Sequence, residues 1–115
     1  MSVLVAVSAG AEGRAARTAG ATEAELLGTA LVLLNLTLEP IPDAGPGVTV
    51  LERRGPGDRD PADAVLDEID ERGDVQRLVI GLRRRNRLSK ALLGSISQRL
   101  LLESPVPVVA VKPEG

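Results

Sequence analysis

Four segments of this chain are apolar almost without interruption, and small or turn-forming residues bound each of them. Val3-Leu4-Val5-Ala6-Val7 comes first and ends at Ser8-Ala9-Gly10. Ala30 to Leu38 is the second and stops before Pro40. The run Leu78-Val79-Ile80 leads to Gly81, and Val106 to Val111 is the last. Strands that are apolar at consecutive positions are buried on both faces, as in a parallel sheet covered by helices. Val48 to Arg53 reads as a further strand with only one clearly apolar face.

Helical patterns separate most of these strands. Arg14 to Gly28 places Ala15, Ala19, Ala24, Leu26 and Leu27 on one side, with Gly28 as the terminator. Pro61 to Arg72 carries stronger signals: Asp60 as N-cap, Pro61 at the first helical position, Asp63 in the first turn and Gly73 at the stop. Its apolar stripe is Ala62, Val65, Leu66 and Ile69, which makes the acidic residues on the other side a solvated face. A third helix opens at Gly94-Ser95 and runs through Leu101. Pro40, Pro42, Gly45, Pro46 and Gly47 make the stretch after the second strand a connector, since it cannot hold a helix. The predicted order is β-α-β-β-α-β-α-β, an α/β domain, and 115 residues suffice for one such unit.

Composition narrows the chemistry. No Phe, Tyr or Trp is present, so nothing can stack on a base, and single-stranded nucleic acid is not the expected partner. With no His and no Cys, imidazole and thiolate metal ligands, Ser-His triads, Cys nucleophiles and disulfides are all excluded. Asp67, Asp70 and Glu71 lie on a helix surface without a convergent pocket, so the expectation is a protein that is not an enzyme. A net charge of −2 draws neither nucleic acid nor an anionic membrane. No apolar run approaches a membrane span and no signal peptide opens the sequence, which gives a cytoplasmic expectation.

The last third is the most informative. Gly81 ends a strand, a loop containing Arg83, Arg84, Arg85 and Arg87 follows, and Gly94-Ser95-Ile96 begins a helix whose free N–H groups can face an anion. This stretch resembles the C-terminal half of the universal stress protein family, whose loop pattern is G-x2-G-x9-G-[ST]. Gly81, Gly94 and Ser95 match at those spacings, and Arg84 stands where the second glycine belongs. The resemblance extends over nearly the whole chain. It implies an open five-stranded, mostly parallel sheet of order 3-2-1-4-5, an adenine-nucleotide alpha-hydrolase-like (Rossmann-like) three-layer sandwich.

In such a sheet the ligand crevice lies where strand order reverses, between the first and fourth strands. Ser8 would then sit beside Gly81 and the arginine loop. The resemblance also implies a nucleotide site, ATP or AMP, at Ser8, Leu36, Gly81, Arg83, Arg84, Gly94, Ser95 and Ile96. Ser8 occupies the place of the family's Asp and keeps a hydroxyl without the charge. Arg84 brings a long side chain to a position built for glycine, at a cost on the order of 1 kcal/mol if the backbone needs positive φ. Two readings follow: the arginines fill the phosphate pocket and leave a non-enzymatic stress-response module with a degenerate site, or they grip phosphate in an ATP- or AMP-binding switch. Ser89 reads as a cap or turn residue and Ser97 as a helix-surface residue.

Two expectations concern assembly. Family members usually carry a helix between the second and third strands, whereas only Glu39 to Gly47 is available here. Nine extended residues span about 30 Å, enough to return along a short strand, and part of one sheet face would be left for a partner; an antiparallel third strand is the other possibility. The resemblance further implies a homodimer through the edge strand Val106 to Val111, whose apolar character is retained behind Pro105 and Pro107.

Overall fold

The apolar runs become the strands of one sheet. The computed structural model describes residues 1–37, 39–41, 44–52, 60–83 and 94–113. In chain order the elements are β1 (Ser2–Val7), α1 (Gly10–Leu27), β2 (Ala30–Asn35), β3 (Thr49–Glu52), α2 (Pro61–Arg72), β4 (Val75–Gly81), α3 (Ser95–Glu103) and β5 (Val108–Val111). The strands lie side by side in the order β3-β2-β1-β4-β5. All four pairings are parallel, β3 on β2 included, so the antiparallel alternative for the third strand is not taken.

Strand alternation divides the interior in two. Leu4, Ala6, Val32, Leu34, Leu78 and Ile80 point to the face covered by α2 and α3, where they meet Val65, Ile69 and Leu100. Val3, Val5, Val7, Leu33 and Val79 point to the opposite face, against Ala16 and Ala24 of α1. The result is a three-layer sandwich in which β1 is buried along its whole length.

Several boundaries differ from the sequence reading. Helix α1 starts at Gly10 rather than Arg14, because Gly13, Ala16, Gly20 and Ala24 form a stripe of small buried residues that packing favours over propensity. Strand β2 ends at Asn35, short of Leu38, since the Asn35 side chain accepts the Thr37 amide at 2.9 Å and turns the chain. Leu38 itself, and Arg53 at the expected end of β3, lie outside the described residues. Strand β4 takes in Val75, Gln76 and Arg77 ahead of the expected run. Strand β5 begins at Val108 because Pro107 has no N–H to donate; its carbonyl accepts from Leu78 at 2.9 Å instead.

The connector after β2 supplies cover of its own. Ile41, Ala44 and Val48 pack on the α1 face of the sheet beside Leu31, Leu33 and Val50. Among the described residues the exposed large hydrophobics are Met1, Leu26, Ile96, Leu101 and Leu102, none of them on β2 or β3. The face expected to await a partner is therefore lined in part by the chain's own apolar connector.

Candidate functional site

At the carboxyl end of the sheet β1 is followed by α1 and β4 by the segment leading to α3, so their exits diverge from adjacent strands. That divergence opens a crevice. Here it is a cleft of about 860 Å³, walled by the first turn of α1, the end of β4, the start of α3 and the beginning of the connector. Ser8, Leu36, Gly81, Arg83, Gly94, Ser95 and Ile96 all line it. Arg84 lies outside the described residues, as do Arg85, Arg87 and Ser89.

Close backbone packing shapes one wall. A Cβ on Gly81 would stand 2.2 Å from the Glu12 carbonyl oxygen, and one on Gly13 would stand 1.8 Å from that of Ser8. Both glycines let the first turn of α1 sit against the ends of β1 and β4. Gly81, which the sequence motif associates with phosphate, thus also has a packing task. Gly94 differs: its φ of −69° suits any residue, and no described atom comes within 4 Å of where a Cβ would be. Nothing in the backbone calls for glycine there, and the space beside it is open.

The helix ends divide in the same way. Helix α2, which reaches the cleft with Pro61 at its first position, is capped by Asp60, which accepts from Ala62 N at 2.8 Å and Asp63 N at 3.2 Å. Helices α1 and α3 have Ala9 and Gly94 at their N-cap positions, and neither has a side-chain cap. Ala9, Gly10, Gly94 and Ser95 line the cleft, so the N-terminal ends of both helices, each with its partial positive charge, border it. Arg14 and Arg17 of α1 also line the cleft, and Arg83 Nε stands 3.6 Å from Glu12 Oε1 at its edge. Ser97 Oγ lies 3.5 Å from the Gly81 carbonyl oxygen, across the seam between α3 and β4.

Arg99 ties α3 to α2. Its Nη1 is 3.3 Å from Asp60 Oδ1, its Nε is 2.8 Å from Glu103 Oε2, and it contacts Asp63 as well. Glu103, then Asp63, hold the guanidinium above its already high pKa, so it stays charged throughout the working range.

Sequence reading missed Arg14, Arg17, Glu12 and Ile41 as cleft residues. The signal for the first three was the spacing Gly13, Ala16, Gly20, Ala24, one helical face that extends α1 back to Gly10. Among the described residues no group of three acidic side chains is placed to hold a metal ion. No described helix is long and apolar enough to cross a membrane.

Comparison with known proteins gives a consistent answer. Residues 43–112 match the model of the universal stress protein family. A universal stress protein of Mycolicibacterium smegmatis is 37% identical over 132 residues, covering 98% of each chain. Among solved structures, a universal stress protein of Archaeoglobus fulgidus superposes with a TM-score of 0.72 at 22% identity, over 97% of this chain and 98% of that one. The Archaeoglobus fulgidus protein in complex with dAMP gives a TM-score of 0.65 at 21% identity, with 97% and 98% covered. The family match across more than half of the sequence and the near full-length relative agree with the strand order, and the chain belongs to the universal stress protein family, a family of the stress response.

Proposed function

We propose that this protein is a nucleotide-binding regulatory module without catalytic chemistry of its own, and that the cleft takes an adenine nucleotide. The phosphates would lie at the N-termini of α1 and α3, and the base along Leu36 and the connector. One observation carries this reading: of the three helices whose first turns border the cleft, α1 and α3 lack side-chain caps, whereas α2 has one. Uncapped N–H groups at one locus are what a phosphate satisfies. The arginines Arg14, Arg17 and Arg83 add positive charge to the same walls, and a structural relative was solved with dAMP. Arg84 belongs to this reading as a phosphate ligand in place of lost backbone contacts.

Ser8 offers a hydroxyl and no carboxylate to the ribose. With no His or Cys in the sequence, neither an imidazole base nor a thiolate nucleophile is available, and the reading is of a module that acts by binding. A homodimer through the β5 edge belongs to the same proposal, since Val108, Val109 and Val111 are only half-buried there. Sedimentation that finds only monomer at micromolar concentration overturns the dimer.

Calorimetry with AMP, and with ATP and Mg²⁺, tests the site. Binding tighter than about 100 μM is expected, which corresponds to roughly 5.5 kcal/mol. Gly94→Val should fold, because its backbone is unstrained and the space around it is open, and should lose the binding. No binding by the unaltered protein leaves the degenerate-site reading instead.

A further inference from the structure

Among the described residues Asn35 is one of two buried polar side chains, 1% exposed at the carboxyl end of β2. Every bonding position of its amide group that the structure places near a partner is used. Its Nδ2 donates to the Glu39 carbonyl at 2.8 Å and to Glu52 Oε2 at 3.0 Å. Its Oδ1 accepts from the Thr37 amide at 2.9 Å and from the Thr37 hydroxyl at 2.6 Å. The Thr37 hydroxyl in turn accepts from the Glu39 amide at 3.2 Å. Glu52 is the register partner of Asn35 on β3, so the group joins the ends of two strands to the first residues of the connector.

That location bears on the cleft. Leu36, Thr37, Glu39, Pro40 and Ile41 form its wall on the β2 side, and none of them belongs to a helix or strand. In a parallel fold a helix ordinarily fixes the crossover that leaves such a position. Here side-chain hydrogen bonds do so, and a buried, fully paired group specifies one geometry because each unpaired member would be costly.

We propose that Asn35 is a positioning residue for the cleft: its contacts with Thr37, Glu39 and Glu52 hold the connector as the wall against which the nucleoside part of the ligand rests. This inference rests on the nucleotide-binding reading for its ligand and on the structure alone for its anchor. Asn35 itself does not touch the ligand. Its loss would therefore weaken recognition of the nucleoside while leaving the phosphate locus at α1 and α3 unchanged.

The test uses the full chain, with AMP and ribose 5-phosphate titrated separately into the unaltered protein and into Asn35→Ala, Thr37→Val and Glu52→Gln. Amide exchange of Thr37 and Glu39 is followed in parallel. Asn35→Ala should weaken AMP tenfold or more and ribose 5-phosphate less than twofold. Exchange at Thr37 and Glu39 should rise while Leu4 and Leu78 stay protected. Glu52→Gln keeps an acceptor for the Asn35 amide and should leave both affinities within twofold. Should Asn35→Ala not fold, Thr37→Val, altered at a partly exposed position, should show the same separation at a smaller size. AMP affinity unchanged in a folded variant overturns the proposal, as does a parallel loss of both ligands with exchange rising across the sheet. If the unaltered protein binds neither compound, the functional reading falls and the positioning role with it. Exchange at Thr37 and Glu39 then still shows whether Asn35 anchors the connector.

Discussion

The two faces of the sheet are covered by different means. On one side α2 and α3 lay Val65, Ile69 and Leu100 over Leu4, Leu34, Leu78 and Ile80. On the other a single helix, α1, approaches closely over β1 and β4, and the connector completes the cover with Ile41, Ala44 and Val48. The lesson is that a layer of this fold can be closed by a proline-containing connector, given apolar residues at the few points where it touches the sheet. The consequence is uneven rigidity: two helices constrain one face, whereas an irregular segment can settle into space on the other.

Leu33 and Leu34 make the sharpest test, being identical, adjacent and similarly buried on opposite faces. Leu34→Ala should cost about 4 kcal/mol and Leu33→Ala about 2, because the connector can collapse into the cavity and packed helices cannot. Denaturant unfolding measures both, and equal losses would end the distinction. Gly13→Ala should follow at roughly 3 kcal/mol, since the new methyl group meets the Ser8 carbonyl and must push α1 from the sheet. A crystal structure of that variant should show the first turn of α1 displaced and the cleft altered.

Ile41→Ala should cost about 1 kcal/mol in thermal unfolding, as expected for a partly buried side chain that packs from one side only. No loss at all would mean that the connector covers the face without supporting it. The smallest effect is expected at Arg99, which links α2 and α3 at the surface. Arg99→Ala should lower the melting temperature slightly in dilute buffer and not measurably in 1 M salt, where such exposed pairs are screened.

Much of this was legible in the sequence, for reasons particular elements make plain. β1 and β4 were evident from uninterrupted apolar runs, and α2 from its cap, proline and terminal glycine. The cleft's far wall followed from the spacing of Gly81, Gly94 and Ser95. The start of α1 did not, because Gly10-Ala11-Glu12-Gly13 has poor helical propensity and is held helical by contact with Ser8 and Gly81. Glu12, Arg14 and Arg17 went unseen at the cleft for that reason. The connector escaped notice because prolines and glycines announce where regular structure stops, and say nothing about where Ile41 will rest. Asn35 looked like one polar residue in an apolar run, and its bond to Glu52 exists only once β3 lies beside β2.

Under the nucleotide-binding reading, the absence of side-chain caps on α1 and α3 would have a cellular meaning. A ligand that completes those helix ends binds the folded chain and not the unfolded one, adding about 2.7 kcal/mol of stability at one hundred times its dissociation constant. Proteases act on the opened form, so the lifetime of the chain would lengthen when the ligand is plentiful and shorten when it is scarce. Two unfinished helices would thus make the abundance of the protein a running record of its ligand's supply.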